Sequence, residues 1–122
     1  MRGYGASTVT AEEWERQRRR LTFGQRLAGV VVRVPRPGAI GIFVDVPVCV
    51  GGFVDVVLLP LDPARWPVEG TATDFEVWWA DDRPQLRLKP VEARFVRDDF
   101  DRFLARMRPE WPRQLGRPLL ET

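Results

Sequence analysis

The 122-residue sequence contains no histidine and no asparagine, and only one cysteine, one lysine and one serine. Each absence narrows the chemistry. Without histidine, a hydrolytic triad with an imidazole base cannot be assembled, and a His/Cys zinc site is excluded as well. The lone cysteine, Cys49, has no internal disulfide partner, which agrees with a reducing compartment. It lies in PVCVGG between valines, with no imidazole to deprotonate it, and reads as a small buried apolar residue rather than a nucleophile. Long apolar runs are missing too. Runs such as Val56 to Leu59 fall far short of the roughly 20 residues a membrane-spanning helix needs. The opening MRGYGASTVTAEEWERQ lacks the apolar centre of a secretory signal. The expectation is a soluble cytoplasmic protein without membrane association. Asp45, Asp55 and Asp81 keep magnesium-dependent chemistry feasible. No ligand spacing accompanies them, so the chain is read as non-enzymatic, with no cofactor and no metal.

What is present is ordinary globular material: 44% apolar residues, enough for one small domain with short appendages. The net charge of +2 conceals an asymmetry. Residues 1–36 and 83–122 are basic, at +5 and +4, whereas residues 37–82 carry −7. The basic ends suit a polyanion or a solvated surface; the acidic middle suits a basic partner.

Punctuation divides the chain. Residues 1–9 read as a disordered arm. Thr10-Ala11-Glu12-Glu13 is a capping box opening a basic helix within 10–22, with acids in its first turn and Arg18, Arg19 and Arg20 in its last. The apolar face of this helix is thin, essentially Trp14 and Leu21. It is either a docked accessory or a segment that orders on a partner. A β barrel is expected over 23–95. LAGVVVRV, AIGIFVDV, FVDVVLL, TATDFEVWWA and QLRLKP are its five strands, with a helical turn in PLDPARW between the third and fourth. That order matches a five-stranded Greek-key barrel of the oligonucleotide-binding type, the OB-fold. Asp98 is expected to cap an amphipathic helix over 96–109, with Val96, Phe100, Phe103, Leu104, Met107 and Trp111 on one face and Pro109 ending it. Residues 110–122 are a tail.

Residues 24–89 resemble the S1-type RNA-binding domain. Gly24 followed by Gly29-Val30-Val31 is similar to the family opening, and Ile40-Gly41-Ile42-Phe43-Val44-Asp45 to its aromatic-Gly-Ala-Phe-Val-Asp signature. Gly52-Phe53-Val54-Asp55 resembles Gly-Leu-Val-His, Gly70 a glycine before the fourth strand, and Gln85-Leu86-Arg87-Leu88-Lys89 the closing strand. The resemblance implies a mainly β, S1-like OB barrel whose interior glycine bends the second strand. It further implies that outward aromatics stack on bases, Phe43 holding one such position and Asp81 a matching loop acid. Three positions depart: Ile40 stands where an aromatic is expected, Asp55 where histidine is, and Gln85 where arginine is.

Two functions follow from these residues. One is a non-enzymatic module contacting RNA or a ribonucleoprotein through Phe43 and the rim arginines Arg33, Arg36, Arg83 and Arg87, since arginine both stacks on bases and pairs with phosphates. The other is a protein-interaction module, such as an inhibitor, immunity-type protein or adaptor, that reuses the barrel. Adjacent strand residues face opposite ways. If Phe75, Val77 and Trp79 point inward, Trp78 points outward, under a flanking helix or toward a protein partner.

Overall fold

The computed structural model describes residues 9–36 and 38–119. Residues 1–8, most of the expected arm, lie outside the described set, as do Pro37 and 120–122. Five strands form the centre: β1 (Arg26–Arg33), β2 (Gly41–Asp45), β3 (Gly52–Asp55), β4 (Ala72–Ala80) and β5 (Leu86–Pro90). They close in the order β1-β2-β3-β5-β4, with β4 returning to β1. All these pairings are antiparallel except β3 with β5. Mainly β, closed and Greek-key ordered, this is the OB arrangement, and closure leaves no sheet edge unpaired.

Alternation along each strand builds the interior. Leu27, Val31, Ile42, Val44, Val54, Phe75, Val77, Leu86 and Leu88 point into one cluster, while Arg26, Ala28 and Val30 of β1 point out. Each strand therefore contributes a single apolar face, the pattern β-branched and aromatic residues favour.

Several boundaries differ from the sequence reading, each for a local reason. FVDVVLL is a strand only to Asp55. There the Asp55 carboxylate accepts from the Val57 amide at 3.0 Å and turns the chain into a 3₁₀ segment, Val56–Leu58. β2 starts at Gly41 rather than Ala39 because Ile40 takes a left-handed conformation, φ 65°. β5 begins at Leu86, after Gln85 has closed a tight turn onto Arg83.

Two helices flank the barrel closely. In α1 (Ala11–Arg20), the Thr10 hydroxyl accepts from the Glu13 amide at 3.1 Å, the first half of the capping box. The Glu13 carboxylate returns to the Thr10 hydroxyl rather than to its amide. Trp14 is wholly buried and donates its indole N–H to the Asp81 carbonyl at 2.7 Å. Leu21 is buried as well, so α1 is docked on the barrel. At the other end, α2 (Phe100–Met107) starts later than its sequence suggests and takes Asp99, not Asp98, as its N-cap. Asp98 instead meets Arg65 in a two-bond pair at 3.0 and 3.1 Å. Met107 is exposed, so the apolar stripe ends a turn early. Trp111 opens a separate short helix, α3 (Trp111–Gln114). The chain then returns alongside the segment before β1: the Phe23 amide donates to the Arg117 carbonyl at 2.9 Å, and Leu119 to Leu21 at 3.0 Å. None of the described helices is long and apolar enough to cross a membrane.

Candidate nucleic-acid interface

The outward faces of the strands carry the candidate site. Gly41 comes first, because it decides what can sit there. Its φ is +140°, and a Cβ would meet the Val54 carbonyl oxygen at 2.1 Å and the Phe53 ring at 2.8 Å. Only a residue without a side chain admits both β3 and the ring of Phe53 at that distance. The glycine that opens the second strand thus makes room for an aromatic surface. Phe43, two residues on, is half-buried on the outer face, its ring centre 5.1 Å from that of Phe53.

Register extends this pair into a row. Arg33 of β1 stands opposite Phe43, Phe43 opposite Phe53, Phe53 opposite Arg87 of β5, and Arg87 opposite Trp79 of β4. The row crosses all five strands. The Arg87 guanidinium lies 4.9 Å from the Phe53 ring centre, within cation–π range, and 3.5 Å from an Asp55 carboxylate oxygen.

The two ends of the row face outward because of β-bulges. Register shifts between Val31 and Arg33 in β1, and between Val77 and Trp79 in β4. Val31 and Val77 are both fully buried, so simple alternation would aim Arg33 and Trp79 at the interior. One extra residue in each strand turns them out again. This corrects the inward reading of Trp79, which is 45% exposed, while Ala80 takes the interior position. Trp78 also faces outward but is covered by this chain's own helices. Its ring centre is 4.9 Å from that of Trp111 and 6.1 Å from that of Phe100. The open tryptophan is therefore Trp79, which sequence reasoning missed; an unpaired extra residue leaves no mark in a run of strand-formers.

The other expected residues fall into two groups at the ends of the row. Asp81, Arg83, Gln85 and Arg87 line one small crevice, with room for about one water molecule, together with Trp79. Asp81 accepts from the Arg83 amide at 2.9 Å and from its guanidinium at 2.9 Å. That hydrogen bonding holds the Asp81 carboxyl below the usual carboxylate range, against a smaller opposing effect of burial. Arg83 itself reaches into solvent. Arg36 and Ile40 sit in the loop between β1 and β2, beyond Arg33, and all three are exposed. Cys49, expected to be buried, is half-buried in the loop between β2 and β3. Asp45, Asp55 and Asp81 are not brought together: among the described residues no group of three or more metal-ligating side chains converges.

No family model matches the chain, and no curated protein matches it. Among solved structures, 11 chains match. One is described as a multidomain protein with nucleic acid binding domains from Streptococcus pneumoniae TIGR4. It shares 20% identity at a TM-score of 0.39, over 84% of this chain and 36% of its own. The present chain thus spans little more than a third of that protein's length.

Proposed function

We propose that this chain is a non-catalytic S1-like module that binds single-stranded RNA across the outer face of β2, β3 and β5. The observation that supports this reading is the placement of Phe43 between Arg33 and Arg87 in one outward row. A flat apolar ring offers base stacking worth about 1–3 kcal/mol per base. The flanking guanidinium groups supply phosphate pairing and release of counterions. Arg36 and Arg83, at the two loop ends, lengthen the basic rim. Ile40 adds exposed apolar surface in the loop before β2, and Gln85 a neutral hydrogen-bonding group beside Arg87.

Anisotropy titration with a fluorescent uridine octamer at two salt concentrations tests the proposal. Binding should weaken steeply with salt, and Phe43→Ala should lower affinity about fivefold or more. Affinity indifferent to both would discard the RNA reading. Stoichiometric recovery of a protein partner with no RNA would favour the protein-interaction reading instead.

A further inference from the structure

We infer that Trp79 is a second base-stacking station, held in place by the C-terminal segment, so that the track on this face runs from Phe43 to Trp79. The inference rests on the RNA reading above and says how far the ligand extends. Trp79 is the only one of the five tryptophans that is exposed: Trp14, Trp66 and Trp111 are buried and Trp78 is half-buried under α2 and α3. An aromatic ring left open at the end of an Arg–Phe–Phe–Arg row continues the same chemistry.

Its pose is fixed from behind. The Phe23 ring centre is 6.3 Å away, and the Arg108 guanidinium lies 5.1 Å from the Trp79 ring, 4.9 Å from Trp78 and 5.4 Å from Phe23. Arg108 is tied down in turn, donating to the Trp78 carbonyl and, at 2.5 Å, to the Gln114 side-chain oxygen. A residue following α2 thus sets the angle of a ring on β4. Arg108 is a positioning residue: it acts on the ligand through Trp79.

Spacing gives the length of the ligand. Phe43 and Trp79 are separated by three interstrand steps, about 14 Å at the usual strand separation. That is about four steps of roughly 3.4 Å, the span of about five stacked nucleotides. Arg87 stands between the two rings, where an intervening phosphate passes. A dinucleotide cannot engage both rings; a pentanucleotide can.

The test uses di-, penta- and octauridylate probes, read by binding competition and by intrinsic tryptophan emission. Wild type should bind the pentanucleotide about tenfold tighter than the dinucleotide, with quenching that deepens at the longer lengths. Trp79→Ala should abolish that length gain. Trp79→Phe should keep most of the gain but lose the quench, and Arg108→Met should reduce both. If wild type binds longer probes more tightly and Trp79→Ala binds each length like wild type, the inference is overturned and the RNA reading stands. Failure of wild type to bind any probe overturns the RNA reading itself, and this inference with it.

Discussion

The guanidinium carbon of Arg87 stands 4.9 Å from the centre of the Phe53 ring, across the parallel pairing of β5 with β3. This places a cation against an aromatic ring that is almost wholly covered, yet on the outer side of the barrel. Phe53 is a floor for Phe43 and Arg87 rather than a ligand contact. The Asp55 carboxylate on the same strand, 3.5 Å from Arg87, competes with any phosphate for that guanidinium.

Asp55→Asn is therefore expected to tighten polyanion binding. The amide oxygen keeps the hydrogen bond from the Val57 amide, so the turn survives, while one negative charge leaves the face. Affinity for an RNA octamer should rise about two- to fivefold at low salt, and the gain should shrink as salt rises. Anisotropy at two ionic strengths checks it; unchanged or weaker binding contradicts the placement of a phosphate at Arg87.

Gly41→Ala should destabilise the fold by more than about 2 kcal/mol, because the new methyl group meets a backbone carbonyl at 2.1 Å and the φ of +140° is itself unfavourable for alanine. Urea unfolding provides the measurement. A variant as stable as wild type would mean that β2 and β3 do not approach this closely.

Ile40→Asn should act in the opposite direction. Isoleucine at φ 65° is strained, and asparagine tolerates that region. The side chain is 53% exposed, so little apolar burial is lost. A gain of about 1 kcal/mol in urea unfolding is expected.

The buried Lys89 predicts an alkaline pH dependence. Its ammonium donates to the Pro90 carbonyl at 3.0 Å, lies 3.8 Å from a Glu76 carboxylate oxygen and sits 4.9 Å from the Phe100 ring centre. Burial lowers its pKa, outweighing the opposing attraction of Glu76. A lysine depressed in the folded state binds fewer protons there than in the unfolded chain. Stability therefore rises as pH climbs from the folded pKa toward the unfolded value of about 10.4. Lys89→Met removes this contribution. The wild-type minus variant stability, followed by urea unfolding from neutral to alkaline pH, should increase with pH; a flat or falling difference contradicts the sign.

Much of the architecture was legible in residue order. Alternation in LAGVVVRV and TATDFEVWWA marked β1 and β4, Pro47 followed the end of β2, and Thr10 with Glu13 announced the start of α1. Legibility failed where one side chain competed for a backbone group. Asp55 capping Val57 cut the third strand short, and Asp98 was drawn to Arg65, a residue 33 positions away, instead of capping α2. No local pattern reports a partner so distant in the chain. In the candidate site, Phe43 and the arginines were visible from their positions near the strand-two glycine and the loops. Phe53, Trp79 and Arg108 were not, since each joins the surface through pairing with another strand or helix.

By itself the sequence determined which strand faces are apolar, where turns must fall, and that a histidine-free chain cannot do imidazole chemistry. Those are properties of residue type and period, fixed before any strand finds its neighbour. Only the tertiary structure decided the direction of the side chains at the two ends of the row. One surplus residue at Val32 and another at Trp78 reverse the phase of alternation, turning Arg33 and Trp79 from inside to outside. A bulge is a property of a pair of strands, set by the register that closes the barrel, and one strand read alone does not contain it.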